Sequence, residues 1–246
     1  MIDEWKKGAK YWDHAWNPVI GCRKVSEGCA NCYAAHMAER FPVLRDHDGG
    51  FMPHRNIGLK KPPEKGIVFV GNMTDLFGEW NDGLEIRRWI SALSPTATNL
   101  VLTKRAGRLR DFAYTDMMRM EHVFYGVTAE TQSRLEFRAS QLFKTGAFWR
   151  WISCEPLLEE IDLTVLDCDN DRIIDGLDWV VVGAESGPNR RPCKLEWVRQ
   201  IVWQCGKAGV PVFVKQLDID GKLVKDIAKF PEDLQIRQVP WTRGEE

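Results

Sequence analysis

The stretch Gly66–Thr103, GIVFVGNMTDLFGEWNDGLEIRRWISALSPTATNLVLT, holds two apolar runs with an amphipathic segment between them. The runs are Gly66–Gly71 (GIVFVG) and Asn99–Thr103 (NLVLT). They are continuous rather than alternating, which suits strands covered on both faces, as in parallel sheets. Between them Ile86, Trp89, Ile90 and Leu93 fall at i, i+3, i+4 and i+7. That stripe buries one face of a helix against a sheet. Strand, helix, strand at this pace is a βαβ unit with a right-handed crossover.

The pattern continues downstream. Val123–Val127 (VFYGV), Phe148–Ser153 (FWRWIS), Trp179–Gly183 (WVVVG) and Val210–Val214 (VPVFV) are further strand candidates. Helical stripes lie between several of them: Leu109, Phe112, Ala113, Met117 and Met120; Leu135, Ala139, Leu142 and Phe143; Val198, Ile201, Val202 and Cys205. From Ile67 the runs start again after 32, 24, 25, 31 and 31 residues, each the size of a βαβ unit. A first strand is expected within His14–Gly21 (HAWNPVIG). The segment Leu157–Leu177 reads as a loop with a short helix. About six to seven parallel strands result, and a closed eight-stranded barrel usually needs a slightly longer chain. The expected class is α/β, an open or partial (β/α) barrel. No linker or low-complexity tract divides residues 1–246, so one domain is expected, with a core over about 12–216 and a peripheral appendage over 217–246.

Composition bounds the function. Of 246 residues 44% are hydrophobic, enough for a buried core, and no stretch is long and apolar enough to span a membrane. The opening MIDEWKKGAK lacks the apolar run of a secretory signal. A cytoplasmic, soluble protein is expected, and in that reducing setting seven cysteines are not a disulfide framework. A net charge of −1 argues against coating nucleic acid by charge alone. Two local clusters, Lys104/Arg105/Arg108/Arg110 and Arg190/Arg191/Lys194, fit a nucleic-acid contact and a solvated face equally well. The eleven tryptophans are read as packing residues.

In parallel α/β folds chemistry gathers at the C-terminal strand ends. Here those ends read Gly71-Asn72-Met73-Thr74-Asp75, Thr103-Lys104-Arg105, Thr128-Ala129-Glu130, Ser153-Cys154-Glu155-Pro156, Gly183-Ala184-Glu185-Ser186-Gly187 and Lys215-Gln216. Helix capping does not account for Lys104, Glu130, Glu155, Glu185 and Lys215 together, so a polar site is expected at this end. Alternation turns Cys154 away from it, toward the helices.

Cys22, Cys29 and Cys32 form C-x6-C-x2-C directly after the first expected strand. Cys32 leads into a helix, Tyr33 to Phe41, that stops at Pro42. Two metal readings are open. Three thiolates can ligate three irons of a [4Fe–4S] cluster and leave the fourth iron free for S-adenosylmethionine. Alternatively, His36 completes a structural zinc site of three cysteines and one histidine, although the six-residue gap is longer than usual zinc spacing. Cys205 reads as core, and Cys168 and Cys193 as loop residues.

The phrases Trp16–Cys22 (WNPVIGC) and Val25–Ala34 (VSEGCANCYA) resemble a phage-type three-cysteine radical SAM family, common in bacteriophage genomes and distantly similar to spore photoproduct lyase. The likeness continues through GNMTDLFGEW, LTKR, GVTAE, SCEPLLEEIDL, GAESGPNRRP and VKQ, from about Trp12 to Gln216. It implies a partial (β/α) barrel of radical SAM type and an external electron donor. It implies that Cys22, Cys29 and Cys32 ligate the cluster with Tyr33 beside it. Asn72, Thr74 and Asp75 would lie near the methionine part of the cofactor, and Thr128 and Glu130 near its ribose. Lys104, Arg105, Glu155, Glu185 and Lys215 would line the substrate cavity, with Lys104, Glu155 and Lys215 the catalytic candidates. Departures exist: the common C-x3-C-x2-C spacing is lengthened, Asn31 stands where an aromatic residue is usual, and the Gly-Gly-Glu phrase after the second strand is replaced by Gly71–Asp75. The implied substrate is a DNA base or modified thymidine, in the bacterial host if phage-encoded. An amino acid or free nucleotide, and a zinc-stabilised binding protein without catalysis, are the alternatives.

Overall fold

The computed structural model describes residues 9–113, 116–167 and 169–242. The apolar runs become strands β1 (His14–Trp16), β4 (Ile67–Val70), β5 (Thr98–Thr103), β6 (Val123–Thr128), β7 (Trp149–Cys154), β8 (Trp179–Gly183) and β9 (Val212–Ile219). They pair in parallel in that order, and β10 (Lys222–Val224) adds antiparallel to β9, making an eight-stranded sheet. The expected first strand divides in two. His14–Trp16 joins the large sheet, while β2 (Val19–Ile20) pairs antiparallel with β3 (His54–Arg55).

Five helices are described: α1 (Tyr33–Arg40), α2 (Gly83–Ser91), α3 (Ala106–Phe112), α4 (Gln132–Phe143) and α5 (Leu195–Ala208). The second starts at a reciprocal capping box, Asp82 with Glu85, which satisfies two orphan backbone donors. The α3 helix is shorter than its stripe suggests. Met117 packs from a separate 3-10 turn, Asp116–Arg119, and Met120 just after it. None of the described helices is long and apolar enough to cross a membrane.

Alternation along the strands separates two cores. Val68, Val101, Val127, Ile152, Val180 and Val214 face outward and pack with the helix stripes. Cys154 and Cys205 lie in this outer core, as expected, while Cys168 falls outside the described residues. Phe69, Leu100, Phe124, Trp151, Trp179 and Phe213 face inward, around Tyr11. The Tyr11 ring lies 6.1 Å from Phe69 on β4 and 5.4 Å from Phe213 on β9. Five strand steps separate those strands, about 24 Å in a flat sheet at ~4.8 Å per step. The sheet therefore curls around Tyr11. Gly126 permits the tightest part of this packing, because a Cβ there would sit 2.4 Å from the Trp151 indole. Among the described residues no pairing joins β1 to β10, so the curl stays open.

The expectation of a peripheral appendage after Gln216 is corrected. Strand β9 runs on to Ile219, Leu234 is fully buried in the outer core, and Val239 enters the inner one. The tail returns along β9, with Val214 N–H donating to the Ile236 carbonyl and Gln238 N–H to that of Val212. Arg237 donates to the Val214, Lys215 and Lys225 carbonyls.

Candidate functional site

The cysteine loop leaves β2 at Gly21, whose φ is +92°, and a Cβ there would lie 2.2 Å from the Met52 carbonyl oxygen. Only glycine fits both the left-handed backbone and that approach. From this turn the loop docks on the end of β4. Gly21 N–H donates to the Met73 carbonyl at 3.0 Å, and Thr74 Oγ1 donates to the Gly21 carbonyl at 2.8 Å. Asn17 bridges the same strand end, donating to Asn72 Oδ1 and accepting from Met73 N–H.

Three further strand ends hold the loop from the other side. At the end of β5, Arg105 donates to Asp75, to Glu79 and to the Arg23 carbonyl, and its guanidinium lies over Trp80. After β6, Glu130 accepts from Ser26 and from Arg138, with Arg138 Nη1 at 2.6 Å. After β8, Glu185 accepts from Arg191 and from Asn31, the residue that precedes Cys32. Glu27 adds an outer clamp to Arg134, whose hydrogen bond holds that carboxyl down to about 2.

These clamps turn the three cysteines toward one cavity. Its walls include Cys22, Cys29, Cys32, Tyr33, Asn72, Thr74, Asp75, Lys104, Arg105, Thr128, Glu155, Glu185 and Lys215. Every residue expected at the site reaches this cavity except Glu130. Glu130 is fully buried behind the wall, where its carboxylate holds Ser26 and Arg138, so it does not face a ligand. Gly28 allows that approach, since a Cβ there would meet Glu130 Oε1 at 2.7 Å. Asp75 and Arg105 line the cavity, yet they are engaged with each other. Asp75 also accepts from Thr103 Oγ1 and the Lys104 N–H. Both act on the wall's shape.

At the base of the cavity Lys215 Nζ lies 2.7 Å from Glu155 Oε1 and above the Tyr11 and Trp12 rings. A register shift between β8 and β9 pairs Gly183 with Gln216, leaving Lys215 as the extra residue of a bulge that aims it inward. The aromatic floor and the clamps through Ser26, Asn31 and Arg138 were not legible in the sequence. Tyr11 and Trp12 precede the first strand and gave no periodic signal. Asn31 carried one hint, as the departure from the usual aromatic residue.

The thiols are half-exposed, and Cys22 is pushed up to about 12 by burial, with the Asp75 carboxylate adding to the shift. Binding a metal there therefore releases a proton. Among the described residues no group of three or more His, Cys, Asp or Glu side chains surrounds a single ion position. His36 does not line the cavity and meets Glu39 Oε2 at 3.2 Å. A single zinc needs all its ligands within about 2.3 Å of one point. A cubane cluster takes each thiolate on a different iron, so its ligands surround a body rather than a point. Cys22, Cys29 and Cys32 all border one cavity, which is the arrangement that a cluster held by three thiolates would need.

Residues 6–230 match the family model described as protein of unknown function (DUF5131), and the chain belongs to that family. No curated protein and no solved structure matches the chain.

Proposed function

We propose that this member of the DUF5131 family is a radical SAM enzyme that holds a [4Fe–4S] cluster on Cys22, Cys29 and Cys32. The open, curved, mostly parallel sheet supports reading the fold as a partial (β/α) barrel of that type. The observation that carries the proposal is the joint placement of the three thiols and the polar strand ends in one cavity. When bound, the cluster with S-adenosylmethionine supplies a deoxyadenosyl radical able to abstract hydrogen.

The chain's own residues position and shield. Arg105, Asn31 and Ser26 fix the thiol-bearing loop against three strand ends. Tyr33 Oη donates to the Asn72 carbonyl and closes the loop over β4. Tyr11 and Trp12 seal the floor against water. The Glu155–Lys215 pair can hold or return a proton at Lys215 Nζ. The family resemblance points to a DNA base or modified thymidine as substrate, for isomerisation, carbon–carbon cleavage or repair. The cavity agrees with a ligand that is partly apolar and partly hydrogen-bonding.

Anaerobic reconstitution with iron and sulfide tests the proposal. About four irons per chain are expected, with release of deoxyadenosine from S-adenosylmethionine under reduction. Cys29→Ala is expected to lose both. Zinc at full occupancy with no uptake of iron overturns the reading, and His36→Ala is expected to leave iron content unchanged.

A further inference from the structure

Six charged side chains line the cavity: Asp75, Lys104, Arg105, Glu155, Glu185 and Lys215. Five sit in ion pairs, Arg105 with Asp75 and Glu79, Glu155 with Lys215, and Glu185 with Arg191. Among the described residues Lys104 is the one lining charge without an ion-pair partner. Its Nζ reaches only the Thr128 hydroxyl, at 3.4 Å. A half-buried ammonium without an ion-pair partner is free to meet an anion that enters the cavity.

The sheet register sets two hydroxyls beside it. Thr103 pairs with Val127, so Lys104 follows in line with Thr128, and Thr128 pairs with Ser153. Lys104, Thr128 and Ser153 therefore form a row across the ends of three adjacent strands, each ~4.8 Å from the next. Ser153 is 1% exposed and lines the cavity. Its hydroxyl is not among the buried polar atoms left unpaired, in keeping with a group that borders the cavity space. One ammonium and two hydroxyls facing one space are the donor set of an oxyanion site.

We infer that Lys104, Thr128 and Ser153 form an oxyanion subsite for a phosphate or carboxylate carried by the molecule that enters the cavity. The inference deepens the proposed function, since it rests on this cavity being the ligand site. Ser153 is new to the site, because the strand-end pattern offered it only as a neighbour of Glu155. Arg105, the other cation expected to meet a substrate anion, is held in its clamp and leaves that role to Lys104.

Calorimetric titration of the full-length protein, as purified and after iron–sulfur loading, tests the subsite with two ligand pairs. One pair is thymidine 5′-monophosphate against thymidine. The other is S-adenosylmethionine against its methyl ester. A preference of about tenfold or more for the anionic member of one pair is expected, an ordinary scale for a charge-assisted contact. Lys104→Gln is expected to remove that preference, Lys104→Arg to keep most of it, and Ser153→Ala to weaken it several-fold. The pair that responds identifies the source, phosphate or carboxylate. Absence of any preference in both pairs, or a preference that survives Lys104→Gln, overturns the inference. Thr128→Val gives a second variant should Lys104→Gln fail to fold, and a preference unchanged in it also counts against the subsite. If the chain takes up no iron yet discriminates the anionic ligand, the radical reading falls and the subsite stands. If it takes up iron without discriminating, the subsite falls alone.

Discussion

Glu185 Oε2 accepts from Asn31 on the cysteine loop, and both of its carboxylate oxygens accept from Arg191. Burial alone would raise its pKa. The hydrogen bonds from Arg191 and Asn31 oppose that and hold the carboxyl below its ordinary 4.5. A carboxylate lowered on folding stabilises the folded state above its unfolded value, and that contribution is lost as pH falls through the folded value. The protein should therefore lose stability progressively below pH ~4.5. Glu27, held down to about 2, acts over the same interval, so the wild-type slope alone does not isolate Glu185. Glu185→Gln does. It is expected to cost about 2 kcal/mol at pH 7, the scale of a charge-assisted hydrogen bond, and to flatten the acid limb of the profile. Urea unfolding midpoints at pH 7 and at stepped values below 4.5 measure both quantities. An unchanged slope in the variant would mean that the Asn31–Glu185–Arg191 contacts are not held in solution.

Elements rather than single residues hold the cysteine loop, because each clamp joins it to a different strand end. The deepest clamp is Ser26–Glu130–Arg138, with Glu130 fully buried and Arg138 2% exposed. Removing one member of a buried ion pair leaves a desolvated charge, whereas removing both leaves none. Arg138→Met is expected to destabilise by ~3–5 kcal/mol. Glu130→Gln combined with Arg138→Met should recover a large part of that loss. A double-mutant cycle in urea reads the coupling, and strict additivity would show that the pair is not linked. This scale also marks how far the sequence was legible. The strands announced themselves through runs of Val, Ile and Phe, and their polar ends followed from chain direction alone. The clamps did not, because Ser26 and Glu130 lie 104 residues apart and Asn31 and Glu185 154 apart. Local periodicity carries no information on such pairs. Glu130 lies away from the cavity for a reason equally hidden from local pattern. Its position after a strand put it at the correct end of the sheet, but only the packing of Gly28 and Arg138 decides that it lies behind the wall.

Across the whole molecule, curvature makes the site. The strand ends converge on one cavity because the sheet curls around Tyr11, and a flat sheet would spread Lys104 and Lys215 across several strand widths. The number of parallel strands was readable from their spacing, but β3 and the antiparallel β10 were not. The curl was not, since it depends on inward aromatic residues from five strands meeting a ring that lies outside all of them. The packing of the tail is hidden from the sequence on similar grounds. Residues 217–246 offer few apolar runs, yet Phe230, Leu234 and Val239 each reach a core. Arg237 meets the carbonyls on either side of the Lys215 Cα, those of Val214 and Lys215. The tail thus covers the edge of β9 and steadies the bulge that aims Lys215 at Glu155. Truncation after Lys225 separates an appendage from a structural strap. An appendage could be removed with little effect on thermal unfolding. A strap that buries three large side chains, at ~1.5–3 kcal/mol each, should cost more than about 5 kcal/mol when removed. Such a loss approaches the whole stability of a typical domain, so the truncated chain is expected to lose its cooperative transition. Leu234→Ala gives the graded version, expected to cost ~2–5 kcal/mol. Hydrogen exchange in that variant should rise first at the amides of β9, where the tail pairs, and leave β5 and β6 protected. Uniform protection across all the strands would place the tail outside the cooperative unit and leave the Lys215 bulge to be held by β8 alone.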